Sequence, residues 1–435
     1  MIFILPVILL LSTNIKQSTS DLIDLHQNLP IEQLWKEIDV VLQLMHMNRT
    51  IGDLVPTAID DFTRPLENIT DCYAFEVIDH HQSNQTTFIN IFNKNRPFSD
   101  VVKFYYQAFP HNDISADSIR ALLLSTREII NLCMIFENRR QHQSDENSMK
   151  FGFTELSDKN DGYMKNMQGL LTDEIYTPVT TLYYLWYNGM IRPSTQSTAL
   201  DGSNPECVRF VDNLPESFDW RDKNVVTDVK NQGECGSCWA FATVGSIESA
   251  YLIHSNMTKD QINLSEQELI SCARSNGCHG GTSTLSFDFV RHHGLTSGQV
   301  MPYQAKDGNG CLHAPPPLAG IRGYCVRSEI RYSNQYSSEY LTDDDIRNTL
   351  VSYGPLYIGV NADRLSRNYR GGIIDDDTCS MRVNHAVLLV GYTPDSWILK
   401  NSWGKTWGEQ QGYFRIARGK NMCGINTEIA YPLVV

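Results

Sequence analysis

Gln232-Gly233-Glu234-Cys235-Gly236-Ser237-Cys238-Trp239-Ala240-Phe241 leads straight into 243–253, a stretch that reads as a helix. A thiol at the start of a helix lies at the positive end of the macrodipole, where thiolate is stabilised over thiol. Cys238 is therefore the candidate nucleophile. A thiolate at neutral or acidic pH needs more help, and a neighbouring imidazolium supplies it. Asn384-His385-Ala386-Val387-Leu388-Leu389-Val390-Gly391-Tyr392 offers a histidine leading into an apolar strand. Further on, Lys400-Asn401-Ser402-Trp403-Gly404 carries an amide oxygen suited to accept from the ring and fix its tautomer.

With His385 147 and Asn401 163 residues beyond Cys238, the latter slightly past the usual range, this set resembles the papain family of cysteine peptidases. The resemblance covers 214–435. It rests also on Leu214-Pro215-Glu216-Ser217-Phe218-Asp219-Trp220-Arg221, on Leu264-Ser265-Glu266-Gln267-Glu268-Leu269 and on Cys278-His279-Gly280-Gly281. It implies an α+β fold, a papain-like two-lobed domain with Cys238 on a helical lobe, His385 and Asn401 on a sheet-rich lobe, and a cleft between them. Gln232 then becomes the oxyanion donor, together with the Cys238 backbone N–H, and Trp403 shields the His385 to Asn401 hydrogen bond. Substrate-binding positions fall at Gly280, Gly281, Thr282, Ser283, Gly359, Val383 and, at the floor of the S2 pocket, Glu428. Small residues there imply a pocket for bulky apolar side chains, and Glu428 adds arginine.

The family's bridges imply Cys235 with Cys278, Cys272 with Cys311, and Cys379 with Cys423. Cys72, Cys133, Cys207 and Cys325 receive no partner, and the residues alone leave the connectivity open. Between Gly281 and Tyr340 there is no histidine-bearing insertion of the kind that blocks the primed cleft in dipeptide-releasing relatives, which favours an endopeptidase. The alternative is a non-catalytic binding or matrix protein on the same fold, which intact Cys238, His385, Asn401 and Gln232 oppose. No cofactor or metal is expected, since Cys272, Cys278, His279, His292 and His293 fit no common zinc spacing.

The whole chain has 435 residues, 41% hydrophobic and 20% charged, as in a globular protein of two or three domains. Its 36 basic and 50 acidic side chains give −14, a balance that argues against nucleic acid or an anionic membrane as partner. The apolar run 2–11, followed by Ser18-Thr19-Ser20, reads as a signal peptide over 1–20, too short for a membrane span. Sequons at Asn48, Asn68, Asn84, Asn256 and Asn263 agree with secretion, and the expected location is the lysosome or the outside of the cell.

Residues 21–95 form a pro-extension of unassigned role, with helix around 31–47 and strands at 72–78 and 86–92. An inhibitory propeptide domain is expected over 96–175: a helix at 101–109, an amphipathic one capped by Ser115, and an extended stretch over 150–156. Gly152-Phe153-Thr154-Glu155-Leu156-Ser157-Asp158 is similar to a turn of the family's propeptides. Then 176–213 is a linker holding the activation cleavage, exposed over 192–213, and 214–435 is the peptidase domain. That domain carries 20 basic and 23 acidic residues, so −11 of the charge belongs to the leader. Leader carboxylates such as Glu155 and Asp158 are expected to hold the enzyme and to let go when acid protonates them. Implied partners are peptide and protein substrates, the chain's own propeptide as inhibitor, and cystatin-type inhibitors, with the protein a monomer.

Overall fold

A computed structural model describes part of 36–47 together with 75–78, 86–89, 97–140, 149–171, 199–200, 205–273, 275–308, 316–328, 341–363, 365 and 367–434. The signal peptide, the sequons at Asn48, Asn68 and Asn84, and Cys72 and Cys311 lie outside the described residues, as does the side chain of Cys133. The chain divides into two compact units, Met1–Met134 and Ile135–Val435.

In the first unit β1 (Phe75–Ile78) and β2 (Thr86–Ile89) form an antiparallel pair with Phe75 opposite Ile89. Helix α1 (Phe98–Ala108) begins after Pro97 and buries Phe98, Val101, Val102, Tyr105 and Tyr106 along one face. Helix α2 (Ala116–Arg140) follows, and Ser115 Oγ accepts from Ser118 N at 3.1 Å in the role of N-cap. Its apolar spacing buries Ile119, Leu122, Ile129 and Ile130.

The second unit opens on β3 (Lys150–Phe151), much shorter than the extended stretch expected over 150–156. The Gly152–Asp158 stretch turns instead: Thr154 N donates to Ser157 Oγ at 2.9 Å and Ser157 N to the Thr154 carbonyl at 3.0 Å. The turn is fastened to the later chain, with Ser157 Oγ donating to Asn368 Oδ1 and Thr154 Oγ1 to the Arg367 carbonyl. A short helix α3 (Asp161–Asn166), capped by Asn160, comes next. Strand β4 is Ala199–Leu200.

Beyond residue 214 the order is β5 (Phe218–Asp219), α4 (Cys238–His254), α5 (Glu266–Cys272), α6 (Ser283–His293), β6 (Gly323–Ser328), α7 (Asp343–Tyr353), β7 (Leu356–Val360), β8 (Tyr369–Gly371), β9 (Ile373–Ile374), β10 (His385–Tyr392), β11 (Ser396–Lys400), β12 (Tyr413–Ala417) and β13 (Glu428–Leu433). Caps are written into the sequence. Ser265 Oγ accepts from Glu268 N and Thr282 Oγ1 from Leu285 N, while Thr342 and Asp345 make a capping box on α7. Asp343, Asp344 and Asp345 then set negative charge against the positive end of α7.

Helix α4 is apolar on nearly every side and forms the centre of a helical core with Val244, Ile247, Leu269, Phe287 and Val290. A second core covers the sheet, which runs β4-β6-β13-β7-β10-β11-β12-β9 with β5 added on β10. All eight residues of β10 are buried, so a continuous apolar run here marks a central strand. The architecture is α+β with two lobes, as the sequence led one to expect.

One part differs. The stretch read as exposed linker over 192–213 is exposed at Glu206, Arg209, Phe210, Asp212 and Asn213, but it is anchored to the sheet lobe: Ala199 and Leu200 pair in parallel with Tyr324 and Cys325 of β6, and Cys207 is 1% exposed within the sheet core. The reason is covalent. Cys207, left without a partner in the sequence reading, is bonded to Cys325.

Candidate active site

Cys238 is the first residue of α4 and fully buried, and its sulfur accepts from Ala386 N at 3.4 Å and Gly169 N at 3.3 Å. Ala386 follows His385 at the head of β10, so the strand brings the imidazole alongside the helix terminus. Asn401 sits just past β11, the strand paired to β10 with Leu388 opposite Lys400. This hairpin closes the His385 Nε2 to Asn401 Oδ1 hydrogen bond at 2.9 Å. The amide oxygen accepts, which leaves Nδ1 as the basic nitrogen. Nδ1 has no well-formed hydrogen bond, although the Met167 carbonyl lies near enough to favour the charged ring. Trp403, 1% exposed, lies 5.1 Å from the His385 ring between centroids and covers that bond.

Burial pushes His385 down to about 4, against the Asn401 hydrogen bond that favours its charge. Burial likewise pushes the Cys238 thiol up to about 11, only partly offset by the N–H groups of Ala386 and Gly169. In this closed chain both groups are neutral.

Gln232 lies between the lobes and is fully buried. Its backbone N donates to the Ser402 carbonyl at 2.8 Å, and its Oε1 accepts from Ser402 Oγ at 2.6 Å. That fixes which way the amide points. Nε2 donates to the Cys235 carbonyl at 2.8 Å and to the Met167 carbonyl at 2.9 Å. Cys235 is bonded to Cys278, holding the loop before Cys238 to the loop before Gly280.

The leader therefore runs through the cleft. Leu170 N donates to the Asn384 carbonyl and Leu171 N to the Gly281 carbonyl, each at 3.0 Å, while Gly281 N donates to the Gly169 carbonyl at 2.9 Å. Leu170 and Gly281 pair in parallel. Two glycines make the approach possible. A Cβ on Gly169 would stand 1.8 Å from the Gly236 carbonyl oxygen, and one on Gly280 would stand 2.9 Å from the Gly169 carbonyl oxygen and from Leu171 Cγ. Replacing Gly169 by alanine is expected to weaken the grip of the leader by about 1–3 kcal/mol, roughly 5- to 150-fold. The rate at which iodoacetamide reaches Cys238 in the intact Gly169→Ala chain measures it, and a rate equal to wild type rejects it.

Of the positions assigned to S2, Gly359 and Val383 meet the leader. Leu170 Cδ2 and Val383 Cγ2 lie 3.0 and 3.3 Å from where a Gly359 Cβ would be. Glu428 is buried at the start of β13 and accepts from Ser283 Oγ at 2.5 Å. The Thr282 hydroxyl is committed to capping α6. Gly280, at φ +116°, lies against the Gly169 carbonyl and Leu171.

Among the other positions, Cys379 is bonded to Cys423, and Cys272 is disulfide-bonded, its expected partner Cys311 lying outside the described residues. Asn256 and Asn263 are exposed. His279 approaches Asp307 and His292 approaches Asp288, both pairs largely in solvent. Of the leader carboxylates, Asp158 pairs with the adjacent Lys159 and Glu155 accepts from Thr406, whereas Asp161 meets Arg367. The residues that the sequence reading did not single out are Met167, Gly169, Leu170, Ser402 and the Cys207–Cys325 pair. The only local hint of the leader run was a short glycine-bearing apolar stretch after an Asn-capped turn.

Comparison with known proteins places these features. Residues 214–433 match the family described as papain family cysteine protease. The chain is 35% identical over 313 residues to the probable cysteine protease RD19D of Arabidopsis thaliana, covering 67% of this chain and 75% of that protein. It is 36% identical over 241 residues to the probable cysteine protease RD19B of the same plant, covering 50% of this chain and 62% of that one. Among solved structures it is similar to the digestive procathepsin L2 proteinase from Tenebrio molitor larval midgut, with a TM-score of 0.61 and 28% identity over 77% of this chain and 99% of the other.

Proposed function

Because the chain belongs to the papain family of cysteine proteases, we propose that it is the self-inhibited precursor of an endopeptidase that works through Cys238, His385, Asn401 and Gln232. One observation carries the reading. The leader lays a peptide over the thiol with the Met167 carbonyl on Gln232 Nε2 and the Gly169 N–H on Cys238 Sγ, so a backbone occupies the place where a scissile peptide is to react.

With the leader gone, water and substrate enter and the proton of Cys238 passes to His385, giving a thiolate and imidazolium pair that α4 and Asn401 both favour. The thiolate attacks the scissile carbonyl, whose oxygen takes hydrogen bonds from Gln232 Nε2 and the Cys238 N–H. The C–N bond breaks as His385 gives its proton to the leaving amine. His385 then takes a proton from water, which releases the acyl group and restores the thiol. Trp403 keeps the His385 to Asn401 bond dry throughout.

Leu170 beside Gly359 and Val383 supports an S2 pocket that takes bulky apolar side chains, and Glu428 behind it, oriented by Ser283, supports arginine as well. The maturation route is the secretory pathway, ending in the lysosome or outside the cell. Cystatin-type inhibitors would compete for the same cleft.

Hydrolysis of fluorogenic peptides after removal of the leader tests the reading. Activity should vanish in Cys238→Ala, and a residual rate above a tenth of wild type would sink it. Glu428→Ala should lower cleavage of peptides with arginine at P2 about tenfold or more relative to those with phenylalanine at P2, the value of one charge-assisted hydrogen bond. An unchanged Arg to Phe ratio would remove Glu428 from the pocket.

A further inference from the structure

We infer that residues 205–213 stay with the activated enzyme as a covalently anchored extension, and that the cut which frees the cleft falls on the amino-terminal side of Cys207. This goes beyond the zymogen reading and rests on it. The part of the chain before residue 214 does two separate things. Residues 150–171 fasten to the loop at 367–371 and fill the cleft. Residues 199–213, where described, belong to the sheet lobe on its other edge.

The anchoring is dense. Cys207 is bonded to Cys325 of β6, and both sulfurs lie inside the sheet core. The Cys207 carbonyl accepts from Tyr431 Oη at 2.7 Å and the Glu206 carbonyl from Tyr353 Oη at 2.8 Å. The Glu206 carboxylate pairs with Arg322 at 3.0 Å. The Arg209 guanidinium stands 5.0 Å above the Tyr353 ring, and Val211 N donates to Asn348 Oδ1 at 2.9 Å. Stripping these residues away would remove the Cys207 carbonyl from the Tyr431 hydroxyl and would uncover a core sulfur.

The bond also decides where a cut can act. Hydrolysis of a peptide bond after Cys207 leaves the run at 167–171 tied to the enzyme through the bridge. A tethered inhibitor meets its site at an effective concentration on the order of millimolar, so the cleft refills. Hydrolysis of a bond between Leu171 and Cys207 separates the inhibitor from its anchor and leaves the anchor in place.

The test begins with the full chain activated in acid or by an added protease, then labelled at Cys238 with a biotinylated epoxide. Captured enzyme is digested without reduction, mapped for linked peptides and sequenced from its amino terminus. The expected product begins before Cys207 and yields the Cys207–Cys325 peptide pair. A labelled enzyme that begins between 208 and 214, contains no Cys207 peptide and offers a Cys325 thiol to alkylation overturns the inference. Absence of label in every form rejects the enzyme reading instead, and bridge mapping of the same sample still reports on the anchor. A second arm places a specific protease site at 209–212. Cutting there should leave the wild-type cysteines inhibited and release activity at least tenfold higher in Cys207→Ser. Equal activity in both is the contrary result.

Discussion

Iodoacetamide should alkylate Cys238 on the order of 10⁴-fold faster at pH 7 once the leader is removed. In the closed chain burial holds the thiol near 11, so the thiolate fraction at pH 7 is about 10⁻⁴. An opened site pairs the sulfur with a protonated His385 at a helix terminus, conditions that bring a thiol below 7.5. The pH profile belongs to the opened site. Cys238 is fully buried in the intact chain, so its alkylation there goes through opening of the leader and the rate reports that opening. The freed enzyme should react at a nearly constant rate down to mildly acidic pH. Equal rates in the two forms at pH 7 would show that the leader does not hold the thiol in its protonated state.

The second large effect concerns Gln232. Removing one donor from an oxyanion site costs about 10²–10³ in kcat, and Gln232→Ala should show that loss with KM little altered. The structure fixes which way the side chain points. Ser402 Oγ holds Oε1 at 2.6 Å, so Nε2 is the only part of this side chain turned toward the Met167 carbonyl. The same change removes a hydrogen bond from the leader, worth about 0.5–1.5 kcal/mol net. Gln232→Ala should therefore be a poor enzyme and also a slightly looser precursor. Kinetics after activation by an added protease measure the first effect, and Cys238 alkylation in the intact chain measures the second. A kcat loss below tenfold would remove Gln232 from the oxyanion site.

The local chemistry was open to reading because it is written in short runs. A cysteine before an apolar helix, a histidine heading a buried strand and an Asn-Ser-Trp turn each declare themselves within ten residues. The α+β character followed from the family that these runs resemble, and the structure agrees with it in an apolar β10 and a nearly apolar α4. What stayed hidden depends on distance through space. Nothing near Cys207 points to Cys325, 118 residues away, because pairing is set by β4, β6 and β13 lying side by side. The exposed-linker reading of 192–213 failed at Cys207 for that reason. Its Gly, Pro and Ser content describes turn chemistry and says nothing of a bond. The run from Met167 to Leu171 was missed because its hydrogen bonds follow from the shape of the cleft. The weight placed on Glu155 and Asp158 came from net charge, whereas among the described residues leader carboxylates meet enzyme cations at Asp161 with Arg367 and at Glu206 with Arg322.

Behind Gln232 and Cys238 the two lobes meet over a set of charges that are buried except for Lys230, which is a quarter exposed. Lys230 Nζ lies 3.1 Å from Glu248 and 2.6 Å from Glu266, Thr227 Oγ1 donates to Glu248 at 2.6 Å, and Lys400 Nζ donates to Thr227 at 3.2 Å. Burial lowers Lys400 to about 8, yet it remains charged at neutral pH. Removing one member of such a set strands another in a low dielectric at about 3–5 kcal/mol, while exchanging all of them for apolar residues can be neutral. Lys230, Glu248, Glu266 and Lys400 are thus heritable only as a unit. Descendants of this chain can vary the loops around the cleft one residue at a time more readily than this charged set between the lobes.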